Sequence, residues 1–125
     1  MQSETISYPT DGLMMNSRLF FESSTEPRPG VLVFPEAFGL GEHAISRAKR
    51  LAAMDYVALA CDIHGEGRLI SDLNEAIDKL QPLYDDTSRM RARAKAALTA
   101  LSQRGEVDHA RVASIGYCFG GTMSL

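Results

Sequence analysis

Three short apolar runs divide the chain, and between them apolar positions recur at helical spacing. Val31-Leu32-Val33-Phe34 and Tyr56-Val57-Ala58-Leu59-Ala60-Cys61 are unbroken, the pattern of strands covered on both faces. Arg111-Val112-Ala113-Ser114-Ile115 is the third run and predicts another buried strand. Near the start, Thr5-Ile6-Ser7-Tyr8 alternates apolar and polar, the signature of a strand with one buried face. Pro9-Thr10-Asp11-Gly12 carries the residues of a tight turn, and alternation resumes from Leu13 to Glu22. The two segments together predict an antiparallel hairpin. Ser23 to Gly30, with two prolines and a glycine, predicts a loop.

The intervening segments have the 3.6-residue period. A helix is expected from Glu42 or His43 to about Met54, with Ile45, Ala48, Leu51 and Ala52 on its inner face. A second is expected from a cap at Ser71 or Asp72 to about Leu80, with Pro82 ending it. A third runs from Asp85 to about Gln103, its stripe being Met90, Ala94, Ala97, Leu98 and Leu101, and Gly105 is its stop. Strand, helix, strand, helix, helix, strand after a hairpin is the order of an α/β fold, with a mostly parallel sheet and helices on both faces. One domain over 1–125 is expected. In such sheets the working site lies at the carboxyl ends of the strands. Three loops are expected to meet there: Pro35 to Gly41, Asp62 to Arg68, and the turn after Ile115.

Charge and composition remove several function classes. A formal net charge of -3 argues against nucleic acid or an anionic membrane surface as the main partner. No apolar run approaches the length of a bilayer span, and Met1-Gln2-Ser3-Glu4-Thr5 has neither the basic nor the apolar region of a secretion signal. Cys61 and Cys118 do not make a disulfide framework, so a reduced, cytoplasmic setting is expected. No Cys or His pair has metal-ligand spacing, and no metal or cofactor is expected.

The candidate chemistry lies in Gly116-Tyr117-Cys118-Phe119-Gly120-Gly121. A strand that runs into Gly-x-Cys-x-Gly-Gly and then into a helix start has the form of a nucleophile elbow, with a thiol at its centre. Such a turn strains the central residue and admits only small neighbours two positions away, here Gly116 and Gly120. The helix N-terminus beneath the sulfur would stabilise a thiolate. The plainer reading is a small buried cysteine in a glycine-rich turn. A phosphate-binding turn ranks below both, because the Lys-Ser/Thr and Gly-x-Gly-x-x-Gly signatures are missing.

Together, Phe34-Pro35-Glu36-Ala37-Phe38-Gly39, Ala60-Cys61-Asp62-Ile63-His64-Gly65-Glu66-Gly67 and the Cys118 elbow resemble the dienelactone hydrolase family of the α/β-hydrolase fold. The resemblance covers essentially the whole chain. It implies a hydrolase of small esters or lactones that works through a Cys–His–Asp triad. By the resemblance, Cys118 is the nucleophile and Glu36 contacts the thiol and helps to generate the thiolate. The backbone N–H groups of Ala37 and Phe119 form the oxyanion hole. The family also holds a substrate carboxylate with arginines. Arg68, Arg89, Arg91 and Arg93 are candidates here, with Arg68 favoured because it lies in a strand-exit loop.

The family's triad Asp and His follow the elbow, where this chain has no residues. His43 and His64 are upstream but on the correct side of the sheet, and His109 is expected at the amino end of the last strand. Asp62 is expected to cap its loop. The resulting expectation is a partial α/β-hydrolase three-layer sandwich, truncated after the elbow strand and weakly active or inactive alone. The alternative is a non-catalytic assembly or binding module. An unpaired last strand would then form a homodimer through the open sheet edge or by a swap.

Overall fold

The structure, a computed structural model, describes residues 1–125. Its elements are β1 (Gln2–Thr10), β2 (Leu13–Phe21), β3 (Arg28–Phe34), α1 (Glu42–Ala53), β4 (Val57–Ala60), α2 (Leu73–Asp85), α3 (Thr87–Ser102), β5 (Val107–Gly116) and α4 (Phe119–Ser124). One sheet carries all five strands in the order β1-β2-β4-β3-β5. The β1/β2 and β2/β4 pairs are antiparallel, whereas β3 pairs parallel with both β4 and β5. The expected hairpin and the parallel core are both present.

Strand alternation splits the core into two layers. Leu32 and Phe34 of β3 and Val57 and Leu59 of β4 face the layer packed by α2, α3 and α4. Val31, Val33, Ala58 and Ala60 face the other way, onto Ala44, Ala48 and Ala52 of α1. Alanines on both surfaces let α1 lie close to the sheet. Helices on both faces make the three-layer arrangement of the α/β-hydrolase fold.

Four expectations are corrected. Pro82 lies inside α2 and does not end it. Proline removes its own N–H bond to the preceding turn and crowds the carbonyl four residues back, a local cost that this helix survives. The turn that follows it is anchored by the fully buried Leu83. On α3 the stripe is rotated: Leu98 is 41% exposed, while Arg93 is buried beside Met90, Ala97 and Leu101. The reason is an ion pair with Asp11 of the β1–β2 turn, which draws the guanidinium inward. β4 begins at Val57, leaving Tyr56 exposed. Finally, β5 is not buried. It pairs only with β3, which is the open sheet edge the alternative reading expected, and Ile115 is 36% exposed.

Candidate active site

The elbow is built as its glycines require. Cys118 has φ 53° and ψ -117°, a conformation that residues with a side chain seldom adopt. A Cβ on Gly116 would fall on the Gly120 carbonyl, and one on Gly120 would fall on the Phe34 and Pro35 carbonyls. Gly121 is under no such constraint, its nearest neighbour being 3.7 Å away. The Cys118 thiol is exposed at the start of α4, so the plainer reading of a small buried cysteine fails. Cys61 is the buried one, and burial pushes its thiol well above the ordinary range.

The turn packs directly on the end of β3. Tyr117 donates its N–H to the Phe34 carbonyl at 3.2 Å, and Gly120 lies against Phe34 and Pro35. This puts the elbow beside the Glu36 loop. The N–H groups of Ala37 and Phe119 take no part in the hydrogen bonds of the loop and turn. The half-buried Glu36 accepts from His43 Nδ1–H at 2.9 Å. The imidazole of His43 meets the Tyr117 ring edge to face, with centroids 4.7 Å apart. Its Nε2 accepts from Arg47 Nε at 3.4 Å. Both ring nitrogens are therefore committed to partners other than the elbow sulfur.

The third loop is stitched to the Glu36 loop from the other side. Ile70 donates its N–H to the Phe38 carbonyl at 2.8 Å, and Gly39 bridges Leu69. His64 Nε2 donates to the Ala37 carbonyl at 2.7 Å. Asp62 caps its loop as expected: its carboxylate accepts the N–H groups of Asn16, His64, Gly65 and Gly67. The backbone in front of His64 is held by Arg93, which donates to the Ile63 carbonyl at 2.6 Å.

The three loops thus converge, but the candidate arginines divide. Arg89 and Arg93 are tied to Asp11, and Arg91 bonds the Thr87 hydroxyl. Arg68 is more than half exposed and pairs only with Glu66 at 3.4 Å, while its backbone carbonyl lies against Gly39. β5 begins at Val107, before the expected Arg111, so His109 lies inside the strand, exposed near its amino end. The sequence reading missed Arg47 and the pairing of His43 with Glu36. The i, i+4 spacing of His43 and Arg47 on α1 was the available signal. A concavity of about 740 Å³ lies elsewhere, between α3, β5 and α4, and includes neither Cys118 nor Glu36. No cluster of three His, Cys, Asp or Glu residues could hold a metal ion, and no helix is long and apolar enough to cross a membrane.

A model of the dienelactone hydrolase family matches residues 15–125. A solved structure named m3DLH superimposes with a TM-score of 0.94 at 44% identity, over 98% of this chain and 52% of that one. A "dienelactone hydrolase-like promiscuous" phosphotriesterase from metagenomic libraries superimposes at 0.93 with 41% identity, again over 98% and 52%. The "Putative carboxymethylenebutenolidase" of Methylorubrum extorquens is 29% identical over 101 residues, 78% of this chain and 34% of that relative. The chain thus spans about a third of that relative's length and about half of each solved chain.

Proposed function

Because this chain belongs to the dienelactone hydrolase family, we propose that it supplies the nucleophile half of a site that hydrolyses small esters or lactones, with Cys118 as the nucleophile. One observation carries the reading. An exposed thiol is held at a strained positive φ, between two glycines that tolerate no side chain. Strain of this kind persists where it serves a mechanism.

In this reading the bound substrate draws Glu36 away from His43, and the carboxylate accepts the thiol proton. The thiolate sulfur adds to the ester carbonyl carbon, and the C=O π pair moves onto oxygen. The N–H groups of Ala37 and Phe119 donate to that oxygen. Collapse re-forms the C=O bond and breaks the bond to the leaving oxygen, which takes the proton from Glu36. The product is a thioester on Cys118. Arg68 is the proposed contact for a substrate carboxylate. Its side chain is more than half exposed and it lies in a loop that abuts the Glu36 loop.

Release of the acyl group needs a base to activate water. His43 has both nitrogens committed, His64 is buried and bonded to Ala37, and His109 is near the far end of β5. The 125-residue chain is therefore proposed to acylate and to deacylate slowly. The test is an intact-mass time course with an activated ester, with the released alcohol followed in parallel. A stoichiometric burst and an adduct that disappears in Cys118→Ser is expected. No adduct sinks the nucleophile; steady turnover sinks the slow release.

A second reading rests on a different observation. β5 has a partner on one side only, and beside it lies the apolar groove lined by Leu98, Val112, Ala113, Met123 and Leu125. An open edge of this kind pairs with another chain. Under this reading the chain is an assembly module that dimerises through β5.

A further inference from the structure

We propose that His64 is a positioning residue that holds the Ala37 N–H in its donating orientation, acting through the Ala37 carbonyl. The inference rests on the reading of Ala37 as an oxyanion donor. The Ala37 N–H lies in the plane of the peptide that joins Glu36 to Ala37, and the Ala37 end of that plane is carried by the peptide that follows. The peptide before Ala37 is fixed by its carbonyl, that of Glu36, which accepts Gly39 N–H at 3.0 Å. The peptide after it is fixed by the Ala37 carbonyl, which accepts from His64 at 2.7 Å. The next carbonyl, that of Phe38, accepts from Ile70. Three successive carbonyls are thus anchored, and only Ala37's own, in the peptide after the proposed donor, is held by a side chain.

His64 is itself held rigidly. It is 8% exposed, its own N–H is tied to Asp62, and the carbonyl of the preceding Ile63 is tied to Arg93. The loop is moulded onto it. Gly39 has φ +98°, and a Cβ there would come within 2.8 Å of the His64 ring and 2.6 Å of the Arg68 carbonyl. A carbonyl can only accept, so Nε2 must carry the proton. Burial disfavours the charged ring, which leaves neutral imidazole with its proton on Nε2. The donor is therefore present without a charge beside the nascent oxyanion.

The test separates two reactions of the same sulfur. Acylation by an activated ester develops an oxyanion, whereas alkylation by iodoacetamide displaces iodide and does not. His64→Leu is expected to slow acylation about 10- to 100-fold while alkylation stays within about twofold. His64→Gln, whose amide N–H can reach the same carbonyl, is expected to recover most of the acylation rate. Acylation and alkylation falling together, or neither falling, overturns the proposal. A second measurement needs no variant: the 15N spectrum of the unmodified chain should show His64 as the Nε2–H tautomer, and the Nδ1–H tautomer overturns it. An unmodified chain that alkylates but never acylates sinks the nucleophile reading and this inference with it. Acylation unaffected by His64→Leu sinks this inference alone.

Discussion

At Cys118 the backbone is worse than it needs to be for folding alone. A residue with a side chain at φ 53° stores on the order of 1–3 kcal/mol, and glycine relieves most of it. Cys118→Gly is accordingly expected to stabilise the chain by about 1 kcal/mol in urea titration while abolishing thiol chemistry. A less stable variant would mean that the side chain packs, and that the strain argument is wrong. Gly120→Ala should do the reverse, costing roughly 3 kcal/mol because its methyl would fall on the carbonyls of Phe34 and Pro35. Gly121→Ala, with room around it, is the control. The two thiols should also separate: one fast equivalent with a disulfide reagent in the native state, the second only on unfolding, since Cys61 is wholly buried. Glu36→Gln is expected to slow acylation about 100-fold. An unchanged rate would remove Glu36 from the mechanism.

At the scale of elements, the β1–β2 turn is bound to α3 by one carboxylate. Asp11 accepts from Arg89 and from the buried Arg93, and Arg93 then reaches the Ile63 carbonyl beneath the active-site loops. Burial would raise the Asp11 carboxyl, but the hydrogen bonds from Arg89 and Arg93 outweigh it and hold it below its ordinary 3.8. Its stabilising contribution is therefore present above that value and is lost as pH falls through the lower, folded one. Asp11→Asn is expected to cost about 2 kcal/mol, because it strands a buried guanidinium. A cost near zero would show the pair to be as weak as an exposed one. This link was not legible in the chain. Asp11 reads as a turn residue and Arg93 as a solvated helix charge, and only the packing of α3 against β1 joins them.

The whole molecule should lose stability in mild acid before the carboxylates titrate. Burial lowers the pKa of His64 below its ordinary 6.5, although the Ala37 carbonyl and Asp62 oppose that shift. Between the folded and unfolded values the unfolded chain binds a proton that the folded chain does not, so stability falls as pH drops below about 6.5. Denaturation midpoints from pH 7.5 to 5 check this, and His64→Gln should flatten that part of the profile. The exposed β5 edge and its apolar groove predict concentration-dependent self-association in light scattering, and a monomer at the highest soluble concentration would sink the assembly reading.

The local pattern carried the strands, the hairpin, the helices and the elbow, because each is dictated by periodicity or by a glycine that nothing larger can replace. Val31–Phe34 had to be a doubly covered strand, and Gly116 and Gly120 had to flank a strained turn. The family could likewise be named from three short loops, since their chemistry is local. Exposure of Leu98 could not be read in this way: an apolar stripe shows what a helix can bury, and only its neighbours decide whether it does. The partners of Ala37 and Arg93 were equally hidden, because a hydrogen bond between residues dozens of positions apart depends on the register of the sheet that brings them together.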